Sequence, residues 1–152
     1  MKKLPIDSFR GEYSFLSNFY PCEIWWEGIQ YRSVEAAFQA SKTLDDKQRK
    51  KIAATFTPKE AKNLGRKVSL RGDWERIKVP LMKELLEIKF SIPELKAKLM
   101  ATGDKELIEG NTWNDFFWGK CRGKGENWLG KILMNIREAL KEKELPSNFN
   151  TI

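Results

Sequence analysis

The segment "WEGIQYRSVEAAFQASK", residues 26–42, changes its backbone pattern partway along. Its first part places a turn glycine, Gly28, between short aromatic and β-branched pieces, which reads as a hairpin. Ser33 then offers a side-chain cap to a helix starting at Val34, with Val34, Ala37 and Phe38 turned inward. A short hairpin handing over to a capped helix points to an α+β fold, and the flanking sequence adds mostly helix. In "TPKEAKNLG", residues 57–65, Thr57 is a cap, Pro58 sits at the first helical position, Glu60 closes a capping box and Gly65 is read as the stop.

Further on, "DWERIKVPLMKELLEIKF" has Leu81, Leu85 and Ile88 at helical spacing. Pro80 lacks the N–H that the helical ladder needs, so regular helix is expected to start only there. Ser91 and Glu94 repeat the capping-box spacing in a helix that ends on Gly103, and "DKELIEGN" reads as a short strand. A last helix carries Leu129, Ile132, Leu133, Ile136 and Leu140 on one stripe. The fold class expected is α+β, a compact helix-rich single domain over residues 1–145 with short strands and a hairpin. Residues 146–152 are expected to be a short C-terminal tail.

The chain has 152 residues, 28 Lys plus Arg, 21 Asp plus Glu and a net charge of +7. That balance suits an anionic ligand, either a phosphorylated metabolite or nucleic acid, although a basic solvated surface gives the same count. The runs "DDKQRKK" and "KEAK" read as solvated helix faces. No apolar run reaches the length of a membrane span, and no apolar stretch follows the basic N-terminus to make a signal peptide, so a cytoplasmic protein is expected. With 2 cysteines and no histidine, the sequence gives no zinc-site pattern and no disulfide framework. Acid–base chemistry must then use Asp, Glu, Lys, Tyr or Cys.

Three constellations stand out. Glu35, Gln39 and Lys42 fall at i, i+4 and i+7 and share one helix face. Two readings fit that row: an ordinary solvated face, or a site wall in which Glu35, near the positive end of the helix, stays ionised. The loop "NDFFWGKCRGKGENWLGK", residues 114–131, combines Asp115, Trp118 and Trp128 with Gly119, Gly123, Gly125 and the cations Lys120, Arg122 and Lys124. Glycines free backbone amides to approach oxyanions, and aromatics stack on planar bases. A tight turn packed by core tryptophans would look the same. It is not a Walker motif, for it lacks the Gly-Lys-Ser/Thr ending. Third, Asn18 in "LSNFYP" could read a base or sugar edge, or simply bond to backbone.

The ordered blocks "FLSNFYP", "YRSVEAAFQASK", "AKNLGRKV", "LRGDWERIKVPLM", "LLEIKF", "LMATGDKELIEGN" and "DFFWGKCRGKGENWLGKILMNIREAL" closely resemble the NADAR family, also called YbiA-like. The resemblance implies a mostly helical α+β fold and a metal-free, cofactor-free N-glycosidase. Members similar to this chain hydrolyse the C1–N bond of ribosylamino-pyrimidine 5′-phosphates, early intermediates toward riboflavin. Others remove ADP-ribose from guanine in nucleic acid, and a non-catalytic ADP-ribose or NAD-binding module is a third possibility. The implied partner is a phosphorylated ribosyl-heterocycle, with nucleic acid as the alternative and no membrane.

By motif position the resemblance implies site residues Asn18, Glu35, Gln39, Lys42, Trp74, Asp115, Trp118 and Asn127. Glu35, Lys42 and Asp115 are the candidate catalytic groups. Trp74 or Trp118 would stack on the heterocycle, and Lys120, Arg122 or Lys124 would hold the phosphate. Many relatives have histidine directly after the glutamate, where this chain has Ala36.

Overall fold

The computed structural model describes residues 3–144, so the expected tail lies outside the described residues. A 3-10 turn over Gly11–Leu16 precedes β1 (Ile24–Trp26) and β2 (Ile29–Tyr31). Then come α1 (Val34–Ser41), α2 (Asp46–Ala53), α3 (Pro58–Gly65), α4 (Trp74–Lys89), α5 (Pro93–Ala101), β3 (Gly110–Asn111), β4 (Lys120–Cys121) and α6 (Trp128–Lys143). Helices dominate and the strands are short, so the chain is helix-rich α+β, as expected. The described residues form two compact units, one of Arg10–Leu95 and one that joins residues 3–9 to residues 96–144. No helix among the described residues is long and apolar enough to cross a membrane.

In the Arg10–Leu95 unit, β1 and β2 pair antiparallel with Ile24 opposite Tyr31. Glu27 and Gly28 close the hairpin at φ 46° and 82°. Two successive positive φ values make the turn whose twist matches the strands, and Gly28 takes its share without steric cost. Alternation buries Ile24, Trp26 and Tyr31 and leaves Trp25 exposed. Ser33 caps α1 through its hydroxyl, which accepts from the amide of Ala36 at 3.0 Å. Helices α2, α3 and α4 and both strands pack on α1. All eight residues of α1 are therefore buried, and it is the central element of this unit.

Several expectations need correction here. Helix α4 starts at Trp74, not at Pro80, which lies inside it. Pro80 and Arg76, the residue whose carbonyl loses its donor, are both exposed, so water can serve that carbonyl. The buried Trp74, Leu81, Leu85 and Leu86 meanwhile hold both halves of the helix in place. Ser91 does not cap α5, because its hydroxyl donates back to the carbonyl of Ile88 at 2.6 Å. Gly65 is the last residue of α3 and not a left-handed stop beyond it. Helix α2 is solvated along most of its length, but Arg49 is buried. Its guanidinium donates to the Thr43 carbonyl and to Glu27 at 2.8 and 2.7 Å, and stacks 4.7 Å above the Trp26 ring.

In the second unit the expected strand over "DKELIEGN" shrinks to Gly110–Asn111, which pairs parallel with Lys120–Cys121. Leu107 makes only an isolated parallel bridge with Ile6. The α6 stripe is as expected, with Leu129, Ile132, Leu133 and Ile136 buried and Leu140 half-buried.

Candidate active site

Helix α1 holds the first constellation, and its polar row is no solvated face. Glu35 is 8% exposed and Gln39 5% exposed. A buried carboxylate is costly unless hydrogen bonds replace its water. Gln39, one turn along, supplies one of them, its Nε2 donating to Glu35 Oε1 at 2.8 Å. That bond sets the amide orientation, leaving Gln39 Oε1 buried without a hydrogen-bond partner.

Lys42 follows at the C-terminal cap of α1, half-buried. Burial pushes its amine below the ordinary lysine value; Glu35 works against the shift, while Lys62 and Arg66 of α3 add to it by repulsion. A lysine so placed is more often neutral than a surface lysine, and the neutral amine is the nucleophile and base.

The "LSNFYP" segment meets the start of α1 through its backbone. The Asn18 carbonyl accepts from the Glu35 amide at 3.0 Å, satisfying one of the orphan donors of the first helical turn. Asn18 Nδ2 lies 3.5 Å from the Met82 sulfur, and its Oδ1 is buried with no hydrogen-bond partner. Sequence reading missed Lys89, whose Nζ, fully buried, donates to the Ser17 carbonyl at 2.8 Å and thereby ties this segment to α4. Nothing in "LLEIKF" distinguishes a buried lysine from one on a solvated face.

Trp74, 7% exposed, packs its ring on Phe38 of α1, with centroids 5.0 Å apart and planes inclined at 52°. Most of its surface is therefore already used in packing. Ala36 lines a groove of about 410 Å³ with Phe19, Cys22, Tyr31, Arg32 and Phe56. The walls of that groove include neither Glu35 nor Gln39.

The glycine loop belongs to the second unit. Asp115 Oδ1 accepts from the amides of Phe117 and Trp118 at 3.1 and 2.9 Å, so this oxygen shapes the turn. Trp118 is half-buried and meets Phe117 edge-on at 4.8 Å. The amides of Lys120, Cys121, Lys124, Glu126 and Asn127 all donate to backbone carbonyls. They are thus committed within the protein and are not free for an oxyanion. A Cβ on Gly119 would intrude on the Glu109 carbonyl, so this glycine serves close backbone approach. Asn127, at φ 55°, bridges the Leu107 carbonyl and the Glu109 amide through its side chain at 3.0 Å each. Lys120 is half-buried, and Arg122 and Lys124 are exposed. The structure thus brings Asn18, Glu35, Gln39, Lys42 and Trp74 into one unit, and Asp115, Trp118, Lys120, Arg122, Lys124 and Asn127 into the other.

A buried carboxylate held by an amide, in electrostatic reach of an amine of lowered basicity, is a candidate constellation with the groups that acid–base or nucleophilic chemistry requires. Residues 7–141 match the NADAR domain, and the chain belongs to that family. It is 41% identical to N-glycosidase YbiA of Escherichia coli (strain K12) over 133 residues, 85% of this chain and 82% of that protein. It is 39% identical to a riboflavin biosynthesis protein of Vibrio vulnificus (strain YJ016) over 134 residues, 86% of this chain but only 36% of that longer protein. Among solved structures, the NMR structure of the E. coli protein YbiA matches with a TM-score of 0.83 at 35% identity, covering 100% of this chain and 94% of that one.

Proposed function

We propose that this protein hydrolyses the bond between ribose C1 and an amine nitrogen in ribosylamino-pyrimidine 5′-phosphates, releasing ribose 5-phosphate. The chain is an enzyme of the N-glycosyl hydrolase class, that of its 41% identical relatives. The substrate is the part proposed, and the riboflavin context comes from the name of the Vibrio relative. The observation that carries the chemistry is the buried Glu35–Gln39 pair beside Lys42 on α1.

Breaking a C1–N glycosidic bond develops positive charge on the ribose ring while the bonding pair leaves with nitrogen, which must gain a proton. Glu35 serves as the anion facing that cation and as the base for the attacking water. It removes a proton as the water oxygen bonds to C1, and the departing nitrogen takes its proton from solvent. Gln39 fixes the carboxylate during this step, since its amide donates to Oε1. Lys42 supports a second route. A ribosylamine opens to an imine in equilibrium with its ring form, and the neutral Nζ attacks C1, expels the amine and leaves a Schiff base that water hydrolyses. In the other unit, half-buried Trp118 and the cations Lys120, Arg122 and Lys124 have recognition chemistry that suits the same ligand class.

The test is a paired assay of the wild-type protein and Glu35→Gln. Ribosylamino-pyrimidine 5′-phosphate and ADP-ribosylated guanine DNA are offered separately, and released base and sugar are followed by mass spectrometry. Turnover of the small substrate alone, lost in Glu35→Gln, is the expected result. Turnover of the DNA alone assigns the nucleic-acid substrate, and tight ADP-ribose binding without turnover of either overturns the catalytic reading.

A further inference from the structure

We infer that Gly65 is a positioning residue for Glu35, because the missing side chain at the end of α3 leaves the seat from which Gln39 holds the carboxylate. This inference rests on the reading of Glu35 as the catalytic base. Gly65 is buried, and its φ lies outside the left-handed region, so backbone conformation does not demand glycine there. Glycine within a helix is intrinsically unfavourable relative to alanine, which calls for a steric reason.

The reason lies across the α1–α3 contact. A Cβ at Gly65 would stand 2.7 Å from Gln39 Cδ and 2.9 Å from Gln39 Cβ, and closer still to Oε1. At Gly28 or Gly72 a Cβ meets nothing within 4 Å. The outer end of Gln39 can swing away, but its Cβ is fixed to the backbone of α1 and cannot. Because Glu35 accepts from Nε2, the oxygen of the same amide is the atom turned toward Gly65. Any methyl at position 65 must therefore rotate the amide, separate the helices, or both. Rotation of the amide breaks the 2.8 Å bond that fixes the Glu35 carboxylate, whereas separation of α3 from α1 spares that bond and loosens the packing against Gln39.

The experiment is a double-mutant cycle on the full-length protein with Gly65→Ala, Gln39→Ala and the pair together. Thermal unfolding reads the seat directly. Gly65→Ala should lower Tm when Gln39 is present and lower it clearly less in the Gln39→Ala background, where the amide is gone and only the Cβ contact remains against the intrinsic preference for alanine. With a substrate turned over by the wild-type protein, Gly65→Ala should cost on the order of tenfold or more in kcat with KM little changed. It should cost no more once Gln39 is alanine. Unchanged kcat for Gly65→Ala, or effects that simply add in the double variant, would overturn the inference. The Tm cycle does not depend on turnover, so failure of the glycosidase reading would show separately, as a wild-type protein with the expected cycle and no activity.

Discussion

Replacing Lys89 by methionine asks what a cation costs at full burial in this fold. Lys89 is 0% exposed, and burial pushes its amine from the ordinary 10.5 down to about 8, partly opposed by Cys22. A fall of that size is worth roughly 3 kcal/mol at about 1.4 kcal/mol per tenfold. Between the folded value near 8 and the unfolded value of 10.5, the unfolded chain holds more protons than the native one. Stability contributed by Lys89 therefore rises with pH across this window. Below pH 8 both states carry the proton and the full penalty applies; above the unfolded value both are neutral and it vanishes.

Methionine keeps the apolar length and removes the charge, while the lost bond to the Ser17 carbonyl is a cost common to every pH below that window. Urea unfolding of the protein with and without Lys89→Met, both in a Cys22→Ala background to remove the coupled thiol, gives the difference at each pH. From pH 7 to 10.5 that difference should move by roughly 3 kcal/mol in favour of the lysine protein. A difference flat to within about 0.5 kcal/mol over the same range would refute the reasoning.

Borohydride added during turnover should leave a stable sugar adduct on Lys42, located by peptide mass spectrometry and absent in Lys42→Arg; activity with no adduct in the wild-type protein would leave only the direct-water route. Because burial lowers the Lys42 amine, trapping should persist at a pH where surface lysines no longer react, and fade as acid protonates it. Phe38→Ala removes a ring that is 6% exposed and packed at a tilt against Trp74, so denaturant unfolding should show a loss of about 3–5 kcal/mol. Trp118→Ala, at a half-buried ring, should raise KM on the order of tenfold if the indole stacks on the heterocycle, with Tm changed far less than by Phe38→Ala.

Much of the local structure was legible in the sequence. The hairpin turn at Gly28, the Ser33 and Thr57 caps and the α6 stripe are short-range signals, decided by φ preference, side-chain reach and helical period. The errors share a cause. Pro80, Ser91 and Gly65 each followed a rule of local propensity, and each was overruled by packing or by a competing partner. The site shows the same division. Spacing put Glu35, Gln39 and Lys42 on one helix face, but a row of polar residues looks alike whether water or protein lies against it.

The sequence by itself determined which segments are helical, the resemblance to the NADAR family and the residue types available for chemistry, because these depend on neighbours within a few positions or on ordered blocks. Tertiary structure alone decided that α1 is enclosed by α2, α3, α4 and the hairpin. That enclosure turns Glu35 from a surface acid into a buried one held by Gln39, lowers the Lys42 amine and gives Gly65 its purpose. Burial is set by elements distant in sequence, and it is burial that gives a hydrogen bond or a charge here its chemical consequence.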